Sequence, residues 1–199
     1  MHDHARATGR AVGVVLELKH ATYFEDLGRD VARLVADELR DAGWARGEHP
    51  LSIESFESTV LSRVREGGIV ASYVYLLDDV GSPYDLLAAQ GGSAPTYAQT
   101  ASPAGLDALV GRFEGISVAK SMILAPLGPS LVAQAHARGL EVFTWTCRPE
   151  NTFLDERFRR GDDPAGFGDY EGEWAVIRDA GVDGVFVDHP DLGVEFFRP

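Results

Sequence analysis

Strand-like and helix-like segments alternate along nearly the whole of this 199-residue chain. Short runs of β-branched and apolar residues are typical of buried strands, whereas apolar residues at helical spacing are typical of amphipathic helices. We predict strands over Val12–Lys19, Leu51–Ser55, Ile69–Leu77, Gly115–Ile123, Glu141–Thr146 and Gly184–Asp188. Because parallel strands require crossover connections that are usually helical, this alternation favours a parallel sheet covered by helices.

The segments between these strands predict the helices and loops. Apolar spacing indicates helices over Glu25–Gly43, Pro103–Phe113, Pro129–Arg138 and Glu171–Ala180, and a further short helix that carries Phe56 to Val64 on one face and ends at Gly67-Gly68. Two stretches, 78–102 and 149–170, are rich in glycine, proline or charged residues and are predicted to be long loops. The alternation resumes after each loop, so we expect residues 1–199 to form a single domain, with a frayed terminus over residues 1–11.

Composition excludes several classes of protein. Apolar residues make up 45% and charged residues 25% of the chain, as in folded globular domains. The net charge of −13 argues against nucleic-acid binding, which requires lysine and arginine to meet phosphates. No run approaches about 18 apolar residues, so we expect no transmembrane segment. The first ten residues lack the apolar run of a secretory signal, and a cytoplasmic location is therefore expected.

Two α/β architectures with parallel strands are compatible with this pattern. One is a doubly wound open sheet, and the other is a TIM-type (β/α) barrel, which typically needs about 250 residues for eight units. A chain of 199 residues with six predicted strands is short for a complete barrel. We expect an incomplete TIM-type barrel of about six of the eight βα units, with parallel strands and outer helices.

Polar residues at predicted strand ends are candidates for a site. Glu17 and Lys19 lie two apart on one strand, so they point to the same face near its carboxyl end. A carboxylate there suits a hard cation such as Mg²⁺ or Ca²⁺ and a lysine suits an anionic oxygen, although a plain ion pair fits equally. Trp145 suits either a pocket wall or the core. Lys120 suits either a phosphate site or the surface.

Four segments, in chain order, resemble motifs of the glycerophosphodiester phosphodiesterase family. They are the E-x-K segment Gly13–His20, the S-F-E segment Glu54–Glu57, the W-T-x-R segment Phe143–Asn151 and the closing segment Gly181–Pro190. The resemblance implies a TIM barrel that hydrolyses small glycerophosphodiesters to an alcohol and glycerol 3-phosphate. It also implies a divalent cation, Ca²⁺ or Mg²⁺, and two histidines as general acid and base.

By motif matching, Glu17 corresponds to a metal carboxylate, Lys19 to a phosphate-contacting lysine and Trp145 to an aromatic wall around the glycerol group. Lys120 is a further candidate for substrate binding. The family's H-R-G, E-x-D and H-D motifs do not precede Glu17, since only 16 residues lie before it. The resemblance therefore covers the last six βα units, and neither catalytic histidine is assigned here. We expect a fragment with weak or absent cation binding and little activity of its own.

Three functions remain open from the sequence. The first is a partial glycerophosphodiester phosphodiesterase, whose long-loop relatives are often periplasmic or secreted. The second is a non-catalytic binding or assembly remnant that self-associates through open barrel edges at Val12–Lys19 and Gly184–Asp188. The third is an unrelated doubly wound domain that binds an anionic metabolite.

Overall fold

The computed structural model describes residues 12–198, so the predicted frayed terminus at 1–11 lies outside the described residues. Contacts between residues divide the described chain into two compact units. Unit 1 contains residues 12–76, 81–97 and 111–114, and unit 2 contains residues 77–80, 98–110 and 115–198. Each unit is described separately below.

Strands and helices alternate along the described chain, as the sequence predicts. The strands are β1 (Val14–Glu17), β2 (Leu51–Ser55), β3 (Ser72–Leu77), β4 (Gly115–Ala119), β5 (Glu141–Cys147) and β6 (Gly184–Val187). The helices are α1 (Ala21–Asp26), α2 (Val31–Asp41), α3 (Ser58–Glu66), α4 (Tyr84–Gln90), α5 (Tyr97–Thr100), α6 (Pro103–Asp107), α7 (Lys120–Leu124), α8 (Gly128–His136), α9 (Tyr170–Asp179) and α10 (Pro190–Phe197). Short 3₁₀ turns lie at Gly91–Ser93 and Glu156–Phe158.

Unit 1 is built on β1, β2 and β3, which pair in parallel. Leu16 of β1 is in register with Ile53 of β2, which in turn is in register with Tyr73 of β3. These three residues lie on one face of the strands, because in-register neighbours in a sheet point the same way. Helix α3 packs on β2 and on α2. The opposite face carries Glu17 and Glu54.

Unit 2 repeats this arrangement with β4, β5 and β6, again parallel. Ile116 of β4 is in register with Val142 of β5, and both side chains are fully buried. Helix α8 contacts β5, while α9 contributes the buried Trp174 and Ile177. Burial of these apolar side chains stabilises unit 2 through the removal of apolar surface from water.

The structure differs from the predicted elements in several places. The predicted helix Glu25–Gly43 is two helices, because Gly28 adopts a positive φ of 75° after α1, and Asp30 then caps α2 through Arg33 N–H. Lys120 was predicted on a strand, but β4 ends at Ala119 and Lys120 begins α7. Helices α4, α5 and α10 were not predicted, and both α4 and α5 lie in the stretch 78–102 that was predicted to be a loop. No helix in residues 12–198 is long and apolar enough to span a membrane.

Candidate functional site

In unit 1, charged side chains gather at the carboxyl ends of β1 and β2. The Lys19 Nζ atom lies 3.0 Å from Glu17 Oε2, so the predicted pair forms an ion pair. Glu54 is in register with Glu17 on the neighbouring strand, and parallel in-register residues share a face. The Lys19 side chain is 66% exposed and remains accessible to an anion. The structure thus adds Glu54, which was not among the predicted site residues, to the Glu17–Lys19 pair.

Glu54 is the most perturbed carboxyl group of this edge. The residue is only 6% exposed, its backbone carbonyl oxygen accepts the Leu18 N–H at 2.8 Å, and no described residue donates a hydrogen bond to its carboxyl group. The pKa of Glu54 is raised to about 7, chiefly by burial and in addition by the charge of Glu17, while the charge of Lys19 opposes both effects. An acidic residue at the end of a predicted strand does not by itself indicate a functional site. Only the register of β1 and β2 shows that Glu54 lies beside Glu17.

Hydrogen bonds hold the two strand ends together. Ser55 Oγ donates to the Leu18 carbonyl oxygen at 2.6 Å. The buried Glu57 carboxylate accepts hydrogen bonds from the Thr22 backbone N–H at 2.8 Å and from Thr22 Oγ1 at 2.5 Å. Because these bonds fix both β1 and the start of α1 to the end of β2, the positions of Glu17 and Lys19 are set by the fold.

Two histidines lie beside charged residues, one in each unit. His20 follows Lys19 and adopts a left-handed conformation with φ 56°, a region that histidine visits more readily than most residues. In unit 2, His189 Nε2 lies 2.9 Å from Glu150 Oε1, while Glu150 Oε2 is buried without a partner in the described chain. Neither histidine belongs to an H-R-G or H-D motif, so neither is assigned as the acid or base of the family.

Whether this edge of unit 1 can bind a divalent cation depends on which side-chain atoms are available as ligands. No group of three histidine, cysteine, aspartate or glutamate side chains in residues 12–198 is arranged to hold a metal ion. Glu17 and Glu54 nevertheless supply hard oxygen donors on one face. Mg²⁺ is often held by one or two carboxylates and keeps several waters, so Glu17 and Glu54 offer the donor type that such a cation takes without forming a complete site within the described residues.

In unit 2, a cleft of about 370 Å³ opens beside the end of β5. Predicted residues Lys120 and Trp145 both line it, together with Arg148, Phe153, Asp78 and Asp79. The Trp145 indole N–H also donates to the Ser117 carbonyl oxygen at 3.3 Å, which fixes the ring at the cleft wall. The structure thus brings Lys120 and Trp145 together in unit 2, whereas Glu17 and Lys19 belong to unit 1.

Lys120 is held by a buried ion pair. Its Nζ atom lies 2.5 Å from Glu173 Oε1, and the Glu173 side chain is fully buried. Glu173 Oε2 also accepts the Asp155 N–H at 2.8 Å. The ammonium group is therefore largely neutralised within the protein, and the interpretation of Lys120 as a surface lysine is wrong because its side chain is only 15% exposed.

Arg148 is a cleft residue that the sequence did not single out. Its guanidinium lies 4.3 Å from the centroid of the Phe153 ring and its Nε is 2.5 Å from Asp188 Oδ2. Its position directly after β5, three residues beyond Trp145, was the available signal. Arg148 and Phe153 give the cleft a cation and a second aromatic ring beside Trp145.

Comparison with known proteins decides the family. The profile of the glycerophosphoryl diester phosphodiesterase family matches residues 3–192. The chain belongs to this family. A glycerophosphodiester phosphodiesterase of Arabidopsis thaliana is 29% identical over 197 residues, covering 90% of this chain and 49% of the relative. The chain thus spans about half the length of that relative.

Solved structures confirm the fold of this family member. A glycerophosphoryl diester phosphodiesterase-like protein from Silicibacter pomeroyi matches with a TM-score of 0.63 at 20% identity, covering 96% of this chain and 52% of that one. A phosphodiesterase from Oleispira antarctica, solved with its product sn-glycerol-3-phosphate, matches with a TM-score of 0.56 at 18% identity, covering 91% and 53%. The α/β class and the incomplete TIM-type barrel are confirmed.

Proposed function

We propose that this chain binds glycerophosphodiesters and forms part of a metal-dependent phosphodiesterase that releases glycerol 3-phosphate and an alcohol. The observation that carries the proposal is the Glu17–Lys19 pair, 3.0 Å apart at the end of β1, in a chain whose residues 3–192 match the family. The Oleispira antarctica relative, which holds sn-glycerol-3-phosphate, supports this choice of product.

Lys19 is the proposed phosphate-binding residue of unit 1. Its exposed ammonium group suits a phosphoryl oxygen, and the neighbouring Glu17 limits how far the side chain moves. Glu17 is the proposed cation ligand. A bound Mg²⁺ or Ca²⁺ neutralises negative charge on phosphoryl oxygens, which favours both substrate binding and attack at phosphorus.

The cleft of unit 2 is proposed to bind an uncharged polar part of a substrate. Trp145 and Phe153 supply aromatic faces, against which the carbon-bound face of a glycerol group packs while its hydroxyls remain hydrogen-bonded. Arg148 supplies a cation at the rim. Lys120 contributes chiefly by fixing the cleft wall, since its charge is balanced by the buried Glu173.

We also propose that this chain alone hydrolyses glycerophosphodiesters slowly. General acid–base catalysis needs groups that gain and lose protons near neutral pH, which the family resemblance assigns to two histidines in motifs that do not precede Glu17. Lys19 and Glu17 bind and orient a phosphate, but neither has the role of proton donor to a leaving alcohol. We therefore expect binding to exceed catalysis.

The test is binding and hydrolysis of glycerophosphocholine by the purified chain, with Mg²⁺ or Ca²⁺ and with EDTA. Lys19→Gln is expected to weaken binding about tenfold, because it removes a charge-assisted contact with phosphate. Arg33→Gln is a matched control, since Arg33 is 67% exposed on α2 and Lys19 is 66% exposed. Equal binding by both variants and the unaltered chain contradicts the proposal.

A second candidate is a non-catalytic binding or assembly module of the same fold. The absence of a group of three metal-binding side chains in residues 12–198 favours it, because catalytic cation sites usually hold more ligands. Binding of glycerophosphocholine without hydrolysis, together with a concentration-dependent mass in light scattering, distinguishes this module from a monomeric enzyme. Self-association through Val12–Lys19 or Gly184–Asp188 stays a prediction, as does the lack of nucleic-acid binding.

A further inference from the structure

We propose that exposed apolar side chains on α1 and α4 of unit 1 form a docking surface for a zwitterionic phospholipid bilayer. This surface, called the α1–α4 patch, consists of Tyr23, Phe24, Leu27, Tyr84 and Leu87. Peripheral binding to a bilayer goes beyond the proposed function, although the choice of a phospholipid as the occupant rests on that function.

The first argument is the exposure of these side chains. Phe24 on α1 is 42% exposed, Leu27 at its C-terminal cap is 60% exposed, and Tyr84 on α4 is 49% exposed. Residues three or four positions apart share one side of a helix, so Tyr23 and Leu27 form one apolar side and Tyr84 and Leu87 form another. Single exposed apolar residues are ordinary, whereas a group of them marks an interaction surface.

The second argument is that hydrogen bonds hold α1 and α4 side by side. The buried Glu57 carboxylate accepts two hydrogen bonds from Thr22 on α1. The buried Asp85 carboxylate on α4 accepts the Thr59 N–H at 2.9 Å. Glu57 and Thr59 both lie at the start of α3, so the two helices are fixed to the same end of α3, and they contact each other. The α1–α4 patch is therefore one contiguous surface.

The third argument is the position of Lys19, which indicates the chemistry of the occupant. Helix α1 begins at Ala21, directly beyond Lys19 and His20, and the Lys19 side chain is 66% exposed. Lys19 is the proposed phosphate-binding residue. The headgroup of a phospholipid is a phosphodiester of glycerol, and its chains are apolar, so a bilayer offers a phosphate to Lys19 and an apolar layer to the patch. Tyrosine and phenylalanine rings favour this boundary between water and hydrocarbon.

The fourth argument concerns charge, which selects the kind of bilayer. The net charge of −13 repels an anionic bilayer and also a second copy of this chain. The Arg63 guanidinium beside α1 is paired with Glu25 and with Asp30, so its charge is balanced within the protein. A zwitterionic headgroup carries no net charge, and burial of the apolar side chains is then opposed by little electrostatic repulsion.

Co-sedimentation of the full chain with phosphatidylcholine vesicles tests the inference without an activity assay. The double variant Phe24→Ser/Leu27→Ser is expected to lower the partition coefficient about tenfold, and Leu87→Ser on α4 about threefold, because each removes apolar surface from the bilayer contact. Val70→Ser is the matched control, since Val70 is 57% exposed and precedes β3, at the amino end of that strand. It is expected to bind vesicles as the unaltered chain does. Circular dichroism and Tm establish that each variant is folded.

Four outcomes overturn the inference. One is an unaltered chain that stays in the supernatant at about 1 mM lipid. Another is equal vesicle binding by Phe24→Ser/Leu27→Ser and Val70→Ser. A third is stronger binding to vesicles that contain phosphatidylserine, unaffected by the double variant, which would show adsorption through charge alone. The fourth is a concentration-dependent mass that the double variant abolishes, without vesicle binding, which would assign the patch to a protein contact.

Glycerophosphocholine binding separates this inference from the proposed function. Glycerophosphocholine has no apolar chain, so Phe24→Ser/Leu27→Ser is expected to bind it with unaltered affinity. Lys19→Gln is expected to lose affinity for glycerophosphocholine and to keep most of its vesicle binding, because apolar contacts supply the latter. If vesicle binding fails while Lys19-dependent glycerophosphocholine binding remains, the docking surface is overturned and the proposed function stands.

Discussion

Glu54 on β2 lies beside Glu17 on β1 in the parallel register, and both carboxyl groups lie on the same face of unit 1. One of the two is paired with Lys19 and partly open to solvent, while the other is buried. Adjacent like charges at a strand end oppose folding unless a proton or a cation intervenes. The free energy of unfolding of unit 1 therefore depends on the charge of Glu17 and Glu54.

The pH dependence of stability follows from Glu54. Its pKa is raised to about 7 in the folded chain from a usual 4.5, so between these values the folded state holds a proton that the unfolded state has released. Stability is thus present at low pH and is lost as pH rises to about 7, by about 3 kcal/mol at ~1.4 kcal/mol per pKa unit. Urea unfolding in EDTA at pH 5 and pH 8 measures the difference.

The matched variant for this prediction is Glu54→Gln, which cannot ionise. Its stability relative to the unaltered chain is expected to be higher at pH 8 than at pH 5, because only the unaltered chain must bury a charge at the higher pH. Glu38→Gln, on the exposed face of α2, is expected to keep the original pH dependence. An unaltered pH dependence in Glu54→Gln would show that Glu54 is not the group responsible.

The Lys120–Glu173 pair predicts a large loss of stability when only one partner is removed. Lys120→Met leaves Glu173, which is fully buried, with the Asp155 N–H as its remaining partner. We expect a loss of about 3–5 kcal/mol in the free energy of unfolding, the usual result of breaking a buried pair. The double variant Lys120→Met/Glu173→Leu is expected to recover much of it, since no unpaired charge remains. Equal losses in the single and double variants would contradict this coupling.

Gly128, at the start of α8, is predicted to tolerate no side chain. A Cβ there would lie 1.9 Å from the Ile123 carbonyl oxygen, which belongs to the backbone and cannot move aside as a flexible side chain does. Gly128→Ala is expected to destabilise unit 2 by about 2–3 kcal/mol, despite the higher helix propensity of alanine. Gly92→Ala is the control, because nothing lies within 4 Å of its Cβ. Thermal unfolding of the two variants gives the comparison, and a similar Tm for both would refute the prediction.

Trp145 is predicted to supply binding energy in the cleft of unit 2. Trp145→Ala is expected to weaken glycerophosphocholine binding about tenfold, or ~1.4 kcal/mol, through lost apolar contact, whereas Trp145→Phe retains an aromatic face and most of the affinity. Val176→Ala, an exposed position on α9 that does not line the cleft, serves as control. Calorimetric titration measures all three, and an unchanged affinity in Trp145→Ala would remove Trp145 from the substrate site.

Much of the fold was predictable because its signals are local. Strand β2 spans Leu51–Ser55 as predicted, and β5 and β6 differ from their predicted ends by a single residue. Short apolar runs that form strands, and glycines that end helices, depend only on residues close in sequence. The order of residues is therefore enough to predict these elements. Helices α4, α5 and α10 were missed. Both α4 and α5 lie in a stretch rich in glycine, proline and serine, and α10 begins at a proline and was not predicted as a separate element. The break at Gly28 depends on a positive φ that the surrounding helical spacing conceals.

The sequence by itself determined the α/β alternation, the E-x-K pair of Glu17 and Lys19, and the family resemblance that the profile over residues 3–192 confirms. Only the tertiary structure decided that Glu54 is the neighbour of Glu17 and that Lys120 is paired with Glu173, 53 residues away. The physical reason is that strand register and the burial of charge arise from packing between distant segments. No local period in the sequence encodes which two strand-ending acids meet.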